Sequence, residues 1–166
     1  MHSQYAIIAL GSNLGDSPLI IGLAMARLQE LSSRPLLRSS LWQTTPVDCP
    51  PGSPPFVNAV VALQPMSGET PESLLKKMQE LEKVFGRTPK KILNEARPLD
   101  LDLIAFRRKI RLTPQLMLPH PLAFKRRFVL QPLSEIAPDL ILRGQTKNVA
   151  QLLAALPPDP AMRRIG

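Results

Sequence analysis

Arg97, Asp100 and Asp102 are the residues of this chain whose types and spacing best suit chemistry. They lie in Arg97-Pro-Leu-Asp-Leu-Asp-Leu-Ile-Ala-Phe106, which alternates as a strand does, because successive side chains turn to opposite faces. Leu99, Leu101 and Leu103 are expected in one layer, with Asp100 and Asp102 together on the other face. Two carboxylates about 7 Å apart on a rigid strand suit divalent cations, and the nearby arginine suits an anion held by those cations. A solvated outer face of an edge strand is the competing reading. Partly buried carboxylates flanked by apolar residues need a partner, which favours the metal.

Four other groups could take part. Thr44-Thr45-Pro46-Val47, with Phe56 and Asn58, offers what a ring-shaped ligand requires: an aromatic face, and an amide that donates and accepts in one plane. Phe56 and Asn58 are two apart in a strand and share a side. Gln79 and Glu82 share a helix face, shortly before Arg87. His120 stands between Pro119 and Pro121, where capping a turn is its usual task, and Arg126 and Phe128 can present a cation and a ring to one ligand. Gly11-Ser12-Asn13-Leu14-Gly15 lacks the Gly-Lys-Ser/Thr of a Walker A loop and the spacing of GxGxxG, so it reads as a strand-to-helix turn.

Charge points to the same region. The net charge is +8, and between Arg87 and Arg127 eleven basic residues face only Glu95, Asp100 and Asp102, which accounts for the whole surplus. Such a balance suits a polyanion, either a nucleotide polyphosphate or a nucleic acid. Nucleic acid is disfavoured because aromatics are 4% of residues and no strand carries the Lys/Arg-Gly-Phe-Gly/Ala-Phe-Val pattern of an RNA-binding sheet. A single cysteine, Cys49, rules out an internal disulfide framework. With no signal-peptide pattern and no apolar stretch of about 20 residues, a cytoplasmic protein without membrane association is expected. A length of 166 residues fits one domain, 1–166, with a tail after about Leu156 expected to be mobile, and a monomer.

The elements that must position these residues can be read from pattern. Tyr5–Leu10 predicts a buried strand, and Ser17-Pro18 the cap and first residue of a helix to about Leu31. Leu36–Thr44 alternates as one strand and Phe56–Gln64 forms another. Thr70-Pro71-Glu72 opens a second helix, which Gly86 ends. The Asp-Leu-Asp strand follows, then turns and short helix over His120–Leu133 and a last helix over Val149–Leu156. The order βαββαβ predicts an α+β, ferredoxin-like domain: an antiparallel sheet with helices packed on it and C-terminal additions.

In this order the motifs resemble the 6-hydroxymethyl-7,8-dihydropterin pyrophosphokinase family of folate biosynthesis. Arg97-Pro-Leu-Asp-Leu-Asp is similar to its Arg-Thr/Pro-hydrophobic-Asp-hydrophobic-Asp signature. Ala9-Leu-Gly-Ser-Asn-Leu-Gly15, Phe56-Val-Asn-Ala59, Pro119-His120 and Arg126-Arg-Phe-Val-Leu-Gln-Pro-Leu133 also fall where the family has them. The resemblance implies transfer of pyrophosphate from ATP to the hydroxymethyl group of the reduced pterin, releasing AMP. It implies that Asp100 and Asp102 hold two Mg2+ ions, with Arg87, Arg97 and Asp102 acting in catalysis. Thr44, Thr45, Pro46, Val47, Phe56, Asn58 and Phe128 would bind pterin. Gln79, Glu82, Arg87, Arg97, His120 and Arg126 would bind ATP. Glu95-Ala96 depart from the family's usual Gly-Pro and add negative charge beside the polyphosphate, in a loop that in the family closes over ATP.

Overall fold

The computed structural model describes residues 4–45, 51–86 and 96–166. Strand β1 (Ala6–Ser12) runs up the middle of the sheet. Helix α1 (Ser17–Gln29) follows, then the short strands β2 (Leu37–Arg38) and β3 (Trp42–Thr44), the long strand β4 (Phe56–Leu63), helix α2 (Pro71–Val84) and strand β5 (Asp100–Phe106). β1 lies between β4 and β5, and β2 and β3 both pair with β4, every pairing antiparallel. Counting β2 and β3 as one interrupted strand, this is the arrangement expected from the βαββαβ order.

Alternation sorts the side chains into two cores. Ile8, Leu10, Val61, Leu99, Leu101 and Leu103 are buried with α1 and α2 on one face. Ile7, Ala9, Val60, Ala62 and Ile104 are buried on the other face. Helix α3 (Arg127–Ile136) covers that second face with Val129, Leu130 and Leu133, and α4 (Val149–Ala154) packs on α3. A small hairpin, β6 (Arg111–Leu112) with β7 (Met117–Leu118), stands beside the main sheet. Arg111 ties it to α2 through two hydrogen bonds to the Glu72 carboxylate, at 2.6 and 3.2 Å. That contact lowers the Glu72 pKa and raises that of Arg111.

Three elements differ from the pattern-based expectation. Asp16, not Ser17, caps α1 by accepting the Leu19 N–H, while the buried Ser17 hydroxyl accepts a hydrogen bond from the Ser12 hydroxyl at 2.8 Å. The stretch Leu36–Thr44 is not one strand. It breaks at Ser39–Leu41 because the Glu135 carboxylate of α3 takes the Ser40 N–H, the Ser40 hydroxyl and the Trp42 indole N–H, at 3.1, 2.8 and 2.9 Å. The tail after Leu156 ends in strand β8 (Arg163–Arg164), which pairs with β3 at the sheet's edge. Thr70 caps α2 as expected, and Gly86 follows it with φ +93°, a left-handed conformation that glycine adopts freely.

Candidate active site

The strand registers bring distant parts of the sequence into two rows on the α3 face. Gly11 of β1 pairs with Asp100 of β5 on one side and Asn58 of β4 on the other, and Trp42 lies beyond Asn58. One step along, Ala9 pairs with Asp102 on one side and Val60 on the other. Asp100 and Asp102 are therefore neighbours on one face, separated from Asn58 by a single strand that presents no side chain at the crossing. A Cβ at position 11 would lie 3.3 Å from Asn58 Oδ1 and 3.7 Å from the Phe56 ring. Any larger residue there would crowd the Asn58 amide oxygen and fill the space beside the Phe56 ring.

Above these rows is a cleft of about 570 Å³, lined by Gly11, Thr44, Thr45, Phe56, Asn58, Arg97, Asp100, Asp102, Arg126 and Phe128 among others. One end is apolar and amide-bearing. Asn58, 6% exposed, donates to the Thr44 hydroxyl at 2.8 Å, so strand-to-strand bonding fixes the orientation of its amide. Phe56 lies opposite Thr44 in the β3–β4 pairing. Phe128, at the start of α3, faces the cleft and carries the Arg126 guanidinium 5.4 Å from its ring centre. The other end holds the carboxylate pair and Arg97, whose guanidinium lies 3.4 Å from Asp100 Oδ2.

Arg97 is held there by a residue that pattern reading passed over. Asn13, 2% exposed in the turn after β1, accepts the Arg97 N–H through Oδ1 at 2.9 Å, and its own N–H donates to the Arg97 carbonyl at 3.1 Å. Its Nδ2 reaches the Pro54 carbonyl ahead of β4. The glycine-containing turn thus works as a clamp on the segment leading into β5. Only the improbability of a fully buried asparagine without partners could have signalled this.

Of the residues proposed from sequence, Thr44, Thr45, Phe56, Asn58, Arg97, Asp100, Asp102, Arg126 and Phe128 line one cleft. Pro46, Val47 and Arg87 lie outside the described residues, as does the loop over 88–95. Gln79, Glu82 and His120 are not among the residues lining the cleft. Gln79 is exposed on α2. Glu82 accepts the Leu101 N–H at 2.8 Å, satisfying a donor on the outer edge of β5 between the two aspartates. His120 Nδ1 accepts the Leu122 N–H at 3.2 Å and so caps a turn. Burial, and then the nearby Arg126 charge, lower its pKa below the usual histidine value. Lys125, Arg127, Asp159 and Met162 join the lining without having been proposed.

The carboxylate pair suits magnesium, which takes one or two carboxylates and completes its shell with water and phosphate oxygens. No group of three or more His, Cys, Asp or Glu able to hold a metal occurs among the described residues.

The family model for 7,8-dihydro-6-hydroxymethylpterin-pyrophosphokinase (HPPK) matches residues 7–138. The chain belongs to this family. A Porphyromonas gingivalis 2-amino-4-hydroxy-6-hydroxymethyldihydropteridine pyrophosphokinase is 38% identical over 147 residues, covering 86% of this chain and 97% of its own length. The enzymes of the same name from Pseudomonas aeruginosa and Bacillus subtilis are each 36% identical, over 93% and 81% of this chain and 93% and 78% of their own lengths. Among solved structures, the fold is similar to that of Plasmodium falciparum HPPK-DHPS A437G with SDX-DHP, at a TM-score of 0.69 and 16% identity. That match covers 90% of this chain and 45% of the Plasmodium chain. In HPPK terms, the cleft lies on the sheet face covered by α3, at the end where β1 leads into α1.

Proposed function

We propose that this cleft carries out the HPPK reaction, transfer of pyrophosphate from ATP to the hydroxymethyl group of 6-hydroxymethyl-7,8-dihydropterin with release of AMP. The observation that carries the proposal is the pairing of Gly11 with both Asp100 and Asn58. A cation-binding end and a ring-binding end share one cleft, one strand apart.

In this reading the pterin lies between Phe56 and Phe128, its polar edge paired with the Asn58 amide, with Thr44, Thr45, Pro46 and Val47 around it. An amide already bound to Thr44 has little freedom left to lose, so the ring meets a preorganised partner. Asp100 and Asp102 would hold two Mg2+ ions. When bound, these would neutralise and orient the triphosphate. Arg97 stabilises charge moving onto the oxygen that leaves with AMP; Asn13 fixes the backbone from which that side chain extends. Arg87 shares that role and Arg126 borders the nucleotide within the cleft; Gln79, Glu82 and His120, which do not line it, are assigned to the nucleotide side by the family resemblance alone. Asp102 would assist loss of the hydroxyl proton, and a bound metal ion would supply acidification of that hydroxyl.

Residues 1–166 act in this reading as one unit, monomeric and cytoplasmic, on small-molecule substrates. No helix among the described residues is long and apolar enough to cross a membrane. The test is incubation with ATP, magnesium and the reduced pterin, followed by mass spectrometry. Pterin diphosphate and AMP in equal amounts are expected, both vanishing when magnesium is chelated. ADP, or no pterin product, would overturn the assignment.

A further inference from the structure

The segment after α4 lies beyond the part of the chain that the family model matches, yet it reaches the cleft. It is fastened at both ends. At its start Arg127, the first residue of α3, donates to the carbonyls of Leu156 and Pro157 at 3.0–3.2 Å and is itself steadied by Gln131 Oε1 at 3.1 Å. At its far end β8 pairs with β3, Arg163 opposite Gln43 and Arg164 opposite Trp42. The pairing continues past the strand: Ile165 N–H donates to the Leu41 carbonyl at 2.8 Å, and Leu41 N–H to the Gly166 carbonyl at 3.1 Å.

Extending that register one residue back sets Met162 beside Thr44, which pairs with Phe56. Residues in one cross-strand row share a face. Met162 therefore belongs to the row that already contributes Thr44 and Phe56 to the cleft, and it lines the cleft itself. It is half-buried, whereas every other residue from Pro157 to Gly166 is exposed. A tight turn delivers it there. Asp159 Oδ1 accepts the Ala161 N–H at 3.1 Å, and the Asp159 carbonyl accepts the Met162 N–H at 3.2 Å.

We propose that residues 157–164 form a strap that completes the ring-binding end of the cleft, with Met162 as a specificity-determining contact for the pterin and Asp159 as a positioning residue that shapes the turn behind it. This rests on the assignment of that end to the pterin. An unbranched thioether beside Thr44 and Phe56 offers polarizable apolar surface to the edge or substituent of a flat ring. The ammonium and guanidinium groups of Lys125 and Arg126, which also line the cleft, do not. The strap thereby discriminates among acceptors while leaving the nucleotide end untouched.

Steady-state kinetics of Met162→Ala and Met162→Leu test this, beside Asp159→Ala and Asp159→Asn. Met162→Ala is expected to raise KM for the reduced pterin about tenfold, the scale of one truncated apolar contact in a binding pocket. KM for ATP should stay within about twofold, since that end is not touched. Met162→Leu should restore most of the pterin affinity. Asp159→Ala should reproduce part of the loss and Asp159→Asn very little, since an asparagine oxygen also accepts from Ala161. Thermal midpoints identify any variant that has lost its fold. For such a variant, hydrogen exchange in the wild type decides instead: pterin binding should slow exchange at the Leu41 and Ile165 amides. Wild-type pterin KM in a folded Met162→Ala, or unchanged exchange at those amides, would overturn the strap while leaving the HPPK assignment standing. Absence of pterin diphosphate from the wild type would overturn both.

Discussion

Asp100 and Asp102 are partly exposed neighbours on one face of β5 and repel each other; Arg97, 3.4 Å from Asp100, offsets part of that repulsion and a bound cation would offset more. Asp100→Asn and Asp102→Asn are accordingly expected to fold normally and to lose pyrophosphoryl transfer by about 10²–10³-fold, the usual effect of removing one well-placed electrostatic contact. AMP release measured across a magnesium titration should also show a higher magnesium requirement. Near wild-type turnover at low magnesium in either variant would remove the metal assignment. At the ring end, Asn58→Ala leaves the pterin's polar edge unmatched, at about 1–3 kcal/mol, and isothermal calorimetry should show at least about tenfold weaker pterin binding with ATP binding near normal. These residues were legible because a period of two is clear over Leu99–Leu103, and because an amide inside Phe-Val-Asn-Ala-Val-Val-Ala-Leu must be accounted for. Asn13 was not legible: turn-forming asparagines and clamping ones look alike until the partner, Arg97, is known to lie beside them.

The elements mostly followed the pattern where local chemistry decides, the α1 cap being the exception, since Asp16 takes the place expected for Ser17. Thr70 and Gly86 bound α2 as capping chemistry predicts, and β4 ends within a residue of its expected limit. The reading failed where a distant group outbids the local ladder. Ser40 and Trp42 give their donors to Glu135, 95 and 93 residues away, and no window of sequence around Leu36–Thr44 contains that information. The same holds for β8, whose pairing with β3 depends on where α3 and α4 return the chain. Glu135 bonds Ser40 and Trp42 where β3 begins, and β3 carries Thr44, the partner of Asn58. Glu135→Ala is therefore expected to lower stability by about 0.5–1.5 kcal/mol, the net worth of hydrogen bonds whose donors water can reach. The expected readouts are an earlier urea midpoint and a raised pterin KM. A midpoint equal to wild type would show that water replaces the carboxylate at no cost.

Across the whole molecule, the sheet is sealed by helices on both faces, and the cleft opens where α3 begins, beside the turns at His120–Arg126. His120 couples this region to pH. Its pKa is lowered in the fold, so the unfolded chain takes up a proton more readily than the native one. Stability from this group is therefore present above the unfolded histidine value of 6.5 and is lost as pH falls below it toward the native value. Protonation also removes the Nδ1 acceptor from the Leu122 N–H. Thermal midpoints should fall as pH drops below the unfolded histidine value of about 6.5, and His120→Asn should make that segment of the profile flatter. An identical slope in the variant would assign the acid sensitivity to carboxylates elsewhere.

The crossing of Gly11 with Asp100 and Asn58 makes the sheet a ruler. Neighbouring strands stand about 4.8 Å apart, so the cation end and the ring end are separated by two such steps, about 10 Å. This interval is graduated: it changes by a whole strand or not at all, because the backbone ladder cannot stretch. Divergence that favours a longer or bulkier acceptor therefore has to rewrite the loops and the strap, where length is continuous. The strands themselves hold the reach between donor and acceptor constant.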